Sequence, residues 1–92
     1  MNSKYYTNLA ANATTVIQPG AGRLHSIVIN TIGVTGNVCT VYDNTAGSGT
    51  IIATIDTTIA AAPTRIFDIE FKTGLTVVIA TGTAANITVT WT

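Results

Sequence analysis

Residues 37–56, NVCTVYDNTAGSGTIIATID, constrain the fold more than any other part of the chain. Both ends of this stretch are rich in β-branched and aromatic residues, which favour strands, and a cluster of Asp, Asn, Gly and Ser separates them. The pattern predicts a β-hairpin with its turn at residues 43–49. The stretch has no dominant reactive group, so it indicates an architecture rather than a chemistry.

Short strand patterns of the same kind recur along the chain, with turn residues at intervals of about ten positions. No segment gives a convincing helical pattern. The sequence therefore predicts an all-β, antiparallel sandwich of the jelly-roll or immunoglobulin-like kind, with about seven short strands in a domain of residues 13–92. The Cys-Trp-Cys pattern of a true immunoglobulin domain is absent. The predicted strands are residues 13–18, 23–31, 38–42, 50–55, 65–71, 75–80 and 86–91.

Residues 1–12 precede this domain and are mostly small and polar, with the pair Tyr5-Tyr6 as their main bulk. Such a segment cannot bury enough apolar surface to fold by itself. We predict an extended N-terminal arm that is either disordered or laid along its own domain or a neighbouring subunit. The two tyrosines would anchor it in the second case.

The chain is unusually poor in charge, because only 9 % of its residues are charged and the formal net charge is zero. Soluble domains average about 25 % charged residues and usually carry a few units of net charge, which discourages self-association. Threonine, serine and asparagine must therefore form much of the surface. This composition predicts an oligomer or an assembly component, with a neutral monomer as the alternative.

The predicted strand at residues 23–31 supplies candidates for a subunit interface. Leu24 and Val28 are expected on one face and apolar residues on the other, so the strand is expected to be covered on both sides, in part by another subunit. A glycine-punctuated loop with exposed apolar residues follows. The candidate interface residues are His25, Ile27, Ile29, Ile32 and Val34.

The sequence gives little support to an enzyme or to a metal or nucleic-acid site. His25 is the single histidine, and no nucleophile or orienting group is paired with it in the sequence. Asp68 and Glu70 share a strand face, as residues two apart do on any solvated strand. The oxygens of Asp43 and its neighbours in the turn favour turn hydrogen bonds over a metal site. The four cations make no basic stripe.

The sequence also argues against a disulfide-bonded, secreted or membrane-spanning protein. The single cysteine, Cys39, cannot form an internal disulfide, and its position in a predicted strand indicates a buried thiol. We expect no signal peptide, no membrane span and no cofactor, and synthesis in a cytoplasm.

Three segments together resemble small structural proteins of tailed bacteriophages. They are residues 20–31 (GAGRLHSIVINT), 41–50 (VYDNTAGSGT) and 71–78 (FKTGLTVV). Proteins of that group include head decoration (cement) proteins and β modules of head fibres or tail tips.

The resemblance implies a non-enzymatic β-sandwich, often trimeric, that resides in the virion and has the major capsid protein or another virion protein as its partner. Decoration proteins of this sort grip the shell through an N-terminal segment, which here implies Lys4, Tyr5, Tyr6 and Leu9 as attachment residues. The alternative is a carbohydrate- or receptor-binding module on a fibre or tail tip. The group has no catalytic residues to carry over.

Overall fold

The computed structural model describes residues 5–59 and 64–92. The strand patterns of the sequence become eight strands, and the described residues contain no helix. The strands are β1 (Tyr5–Leu9), β2 (Ala13–Gln18), β3 (Gly22–Thr31), β4 (Val38–Asp43), β5 (Thr50–Asp56), β6 (Thr64–Phe71), β7 (Leu75–Ala80) and β8 (Asn86–Trp91).

The eight strands form two four-stranded antiparallel sheets. The first sheet has the order β1-β8-β3-β6 and the second has the order β2-β7-β4-β5. The pairing is nested in sequence order, because the first strand pairs with the last and so on inward along the chain. The pairs are β1 with β8, β2 with β7, β3 with β6 and β4 with β5. This nested pairing is the jelly-roll topology. The predicted all-β, jelly-roll-like sandwich is therefore confirmed, with eight strands instead of about seven.

The additional strand comes from the predicted arm. β1 pairs with β8 over five residues in an uninterrupted register, from Tyr5 opposite Trp91 to Leu9 opposite Ile87. This part of the arm thus lies along its own domain, which is one of the arrangements that its composition predicts. Residues 1–4 lie outside the described residues.

The core lies between the two sheets and consists mainly of inward-facing residues of their inner strands, joined by Ile55 and Phe71 from edge strands. Trp91 is buried there, as its place in an alternating strand predicts. Cys39 is fully buried too, and this burial raises the pKa of its thiol to about 12. The largest fully buried side chains are Leu24, Ile27, Phe71, Leu75, Ile79 and Ile87.

The inner strand β3 does not alternate as its sequence suggests. A β-bulge between Leu24 and Ser26 inserts one extra residue relative to β8, and an extra residue shifts the alternation of everything after it. As a result Leu24, Ile27 and Ile29 all enter the same core, whereas Val28 is half-buried on the opposite face. The expectation of two separate apolar faces on this strand is wrong.

The predicted hairpin is present as β4 and β5, but its connecting loop does not project from the molecule. The backbone of Asn44 accepts a hydrogen bond from the Thr76 hydroxyl at 2.7 Å, and a Cβ placed on Gly47 would lie 2.9 Å from Val78. The loop is therefore folded across the outer face of the second sheet.

The side-chain oxygens at the end of β4 both accept hydrogen bonds from turns, but only Asn44 does so within its own loop, as predicted, whereas Asp43 bonds a different turn. The carboxylate of Asp43 accepts hydrogen bonds from the backbone N–H groups of Lys72, Thr73 and Gly74. Asn44 bonds within its own loop, with its side-chain oxygen accepting from the N–H of Thr45. These bonds fix the loop against the β6–β7 turn.

Candidate interaction surface

The four expected attachment residues fall on or just before β1. Lys4 lies outside the described residues. Tyr5 and Leu9 are on the inward side of the strand, since they lie opposite the buried residues Trp91 and Ile87, and the Tyr5 ring is centred 5.8 Å from that of Trp91. Tyr6 points outward and is 74 % exposed. The structure therefore separates the two tyrosines onto opposite faces of one edge strand.

The expected subunit-interface residues do not form one surface. Ile27 and Ile29 are buried in the chain's own core, with 0 % and 6 % of their surface exposed, so neither is available to a neighbouring chain. Their assignment to an interface is wrong, because the bulge in β3 turns both of them inward. The bulge was not recognisable from a run of apolar residues.

The three remaining candidates lie at two different ends of the sandwich. His25 is near the start of β3, whereas Ile32 and Val34 follow its last residue, which separates them by roughly 20 Å along an extended strand. Ile32 and Val34 are 43 % and 47 % exposed. These two residues are exposed apolar side chains on the β3–β4 loop.

The outward side of the first sheet, which we call the outer face of the first sheet, is a regular surface. One cross-strand row runs through Tyr6, Thr90, Ser26 and Ile66, and a second runs through Asn8, Thr88, Val28 and Thr64. Neither row contains a charged residue. The two rows span all four strands, with exposed Tyr6 and Ile66 at the two edges.

The polar groups of this face are hydrogen-bonded to one another. The hydroxyls of Ser26 and Thr90 are 2.6 Å apart, and the amide of Asn30 donates to the Thr88 hydroxyl at 2.9 Å. The Asn8 amide donates to Asn86 at 2.7 Å. The bonds cross from strand to strand, so the face is both polar and fixed in shape. The sequence does not reveal this network, because the hydrogen bonds depend on which strands lie next to each other in the sheet.

A charged group lies at one end of the same sheet, where β3 and β6 both bulge. His25 Nδ1 bonds Asp68 Oδ1, and Asp68 itself has a left-handed backbone with φ +50°. The Arg23 guanidinium donates to the Asp68 backbone carbonyl at 3.0 Å and lies 3.8 Å from the Glu70 carboxylate. These pairs are partly or largely exposed, so they contribute little to stability.

His25 in this charged group and the neighbouring Ser26 hydroxyl have separate hydrogen-bond partners. The imidazole is bonded to the Asp68 carboxylate, and the Ser26 hydroxyl is bonded to the Thr90 hydroxyl. A shallow depression of about 350 Å³ lies beside the group and is lined by Gly22, Arg23, Glu70, Phe71 and their neighbours.

Residues 5–59 and 64–92 lack two further kinds of feature. They contain no group of three or more His, Cys, Asp or Glu side chains that could hold a metal ion. No helix in this part of the chain has the length and hydropathy required to cross a membrane.

The fold and this surface define a class of protein, an eight-stranded jelly-roll sandwich with two uncharged, hydrogen-bonded rows on one sheet face. Comparison with known protein families and with curated proteins finds no match to this chain.

Proposed function

We propose that this protein is a non-enzymatic structural component of a bacteriophage virion, a capsid decoration (cement) protein that forms a homotrimer and stabilises the head by bridging major capsid subunits. The observation that carries the proposal is the outer face of the first sheet. Two cross-strand rows of that face carry no charged residue over four strands, and their hydroxyl and amide groups are already paired with one another. These rows lose little solvation when another protein covers them.

The size of the face supports the proposed oligomer. Four strands spaced by about 4.8 Å, each contributing about six residues, give an area of roughly 400 Å². A stable interface buries about 800 Å² on each partner. One face alone therefore supports weak attachment, and an oligomer that presents several faces to a repeating shell gains the missing affinity through multivalency.

Light scattering on the purified protein tests the oligomer. The chain has a mass of 9.5 kDa, and the proposal expects a particle of about three times that mass at micromolar concentration. A monomer under those conditions would contradict the proposed oligomer. Cryo-electron microscopy of virions made with and without the gene tests the location, and density for the protein on the head surface is the expected result.

A matched pair of substitutions tests the face itself. Ile66→Lys places a charge on the outer face of the first sheet, at a side chain that is 61 % exposed. Ile51→Lys does the same on the second sheet, at a side chain that is 53 % exposed. We expect the first substitution to reduce retention on virions by at least about tenfold and the second to leave it unchanged. Equal effects would argue against the first sheet as the attachment surface.

The exposed ring of Tyr6 supports one alternative, a carbohydrate- or receptor-binding module on a fibre or tail tip. Protruding aromatic side chains are common in such sites. Glycan-array binding that is lost in Tyr6→Ala would favour this alternative. Absence of glycan binding by the wild-type protein would remove it.

A further inference from the structure

The four edge strands of the two sheets differ in how well they are protected against pairing with another strand. β2, β5 and β6 each meet their neighbour with a register shift. β6 in addition carries Asp68 and Glu70, and its Arg65 lies opposite the inward-facing Ile27. Bulges and charges of this kind are the usual means by which edge strands avoid unwanted pairing.

β1 is the edge strand without these devices. Its five residues pair with β8 in a continuous register, and its sequence, YYTNL, has no charge and no proline. In a regular edge strand, alternate backbone N–H and C=O groups point away from the sheet and remain available to a further strand. The structure thus offers one regular edge for strand addition.

The side chains of β1 suit a second copy of the same strand. In an antiparallel pair centred on Thr7, Tyr5 of one copy lies opposite Leu9 of the other, and Tyr6 lies opposite Asn8. Inward residues then meet inward residues and outward residues meet outward ones. Tyr5 is 55 % exposed although it is on the inward side, so this pairing covers an aromatic ring that its own chain leaves open.

We infer that two copies of this chain associate through their β1 strands, antiparallel and with Thr7 on the two-fold axis, to make one continuous sheet of eight strands. The inference rests on the proposed self-association. Identical antiparallel strands are related by a two-fold axis, so this contact is distinct from the one that closes a trimer and joins copies of neighbouring trimers.

Disulfide trapping tests the contact. Two residues directly opposite each other on antiparallel strands have Cα atoms about 4.5–5.5 Å apart, within the range that a disulfide spans. We expect Thr7→Cys to form covalent dimers in a glutathione redox buffer at least about tenfold faster than free collision allows. The native Cys39 is buried and stays in place, with the wild-type protein as the background measurement.

Thr15→Cys is the matched control, because Thr15 is also a half-buried threonine on an edge strand, opposite the buried Val77 of β7. Its dimers are expected to form at the collision rate. A mixture of Tyr6→Cys and Asn8→Cys tests the register with two exposed positions, since the heterodimer is expected to exceed both homodimers. Circular dichroism of each variant confirms that it is folded.

The outcomes separate this inference from the proposed function. If light scattering shows an oligomer but Thr7→Cys dimerises no faster than Thr15→Cys, the β1 contact is wrong and the proposed self-association stands. If the protein is a monomer and no variant crosslinks above the wild-type background, both fail. Preferential Thr7→Cys dimers together with the Tyr6–Asn8 heterodimer support the antiparallel pairing that is centred on Thr7.

Discussion

Asn37 connects the loops at one end of the sandwich. Its side chain is fully buried and makes five hydrogen bonds, four to residues of other connections and one to Ala80, the last residue of β7. The amide donates to Asn12, Ala80 and Thr81, and its oxygen accepts from the Thr57 hydroxyl and the Ala85 N–H. A single residue thereby joins the β1–β2, β5–β6 and β7–β8 connections to its own loop.

We predict that Asn37→Ala lowers the free energy of unfolding by about 3 kcal/mol, because it leaves several buried donors and acceptors without partners. Urea denaturation followed by circular dichroism measures the change. Asn30→Ala is the control, since that amide is exposed and makes two hydrogen bonds on the outer face of the first sheet. Its loss should cost less than about 1 kcal/mol. Equal losses would show that Asn37 has no special role.

Asp43 makes stability depend on pH at the acid end. Backbone N–H groups of Thr73 and Lys72 hold the pKa of its carboxyl below the ordinary value. A group whose pKa is lowered by folding stabilises the protein above its unfolded-state pKa, which is about 3.9, and loses this contribution as pH falls through the folded-state value.

We therefore expect Asp43→Asn to be less stable than the wild type near pH 7, with a difference that shrinks as pH falls below about 4. Denaturation midpoints measured between pH 7 and pH 2 give the comparison. Glu70→Gln, which removes a largely exposed carboxylate on β6, serves as the control and should shift the midpoint little at pH 7. A difference for Asp43→Asn that stays constant over this range would contradict the prediction.

At the scale of elements, two turns meet at the same end of the sandwich. Thr35-Gly36 and Thr81-Gly82 each place two successive residues at positive φ, and a β-bridge between Val34 and Thr83 joins the turns. β-branched residues rarely adopt positive φ. The two turns therefore hold each other in a conformation that neither sequence favours alone.

The two glycines of these turns separate backbone strain from lack of space. A Cβ on Gly82 would lie 2.2 Å from the carbonyl oxygen of Val34, whereas one on Gly36 would meet no atom closer than 3.8 Å. Both have positive φ, at +62° and +74°. We predict that Gly36→Ala costs about 1 kcal/mol from strain and that Gly82→Ala costs about 3 kcal/mol, because strain and a backbone clash add. Thermal unfolding measures both, and similar costs would argue against the close approach of the turns.

At the scale of the whole molecule, the pairing of β1 with β8 joins the two ends of the described chain. This pairing covers one edge of the first sheet, and the Tyr5 ring covers part of Trp91. The N-terminal strand thus contributes to the sandwich as well as to any attachment surface.

Substitution of each tyrosine distinguishes these two contributions. Tyr5→Ala is expected to shift Trp91 fluorescence to longer wavelength and to lower the free energy of unfolding by about 1 kcal/mol, since it exposes the indole and removes an aromatic contact. The Tyr6 side chain faces outward, so Tyr6→Ala should leave the Trp91 fluorescence and the free energy of unfolding unchanged. Identical spectra for the two variants would show that Tyr5 does not cover the tryptophan.

The local pattern of the sequence determined most of the strands and the class of fold. Alternating apolar residues and turn clusters are local signals, so they predicted the β4–β5 hairpin, the buried Trp91 and the buried Cys39 without any knowledge of neighbours. Low charge and abundant threonine likewise follow from composition. The immunoglobulin-like alternative remained open, because strand order depends on which distant strands pair.

The tertiary structure alone decided the bulges, the edges and the composition of the sheet faces. The extra residue in β3 that turns Ile27 and Ile29 into the core is defined by pairing with β8, some sixty residues away. The sequence predicts an arm at residues 5–9, because a short polar strand becomes favourable only when β8 supplies its hydrogen bonds. Whether a segment forms a strand depends on residues close to it in the sequence. The register and the exposure of that strand depend on contacts with residues that are distant in the sequence.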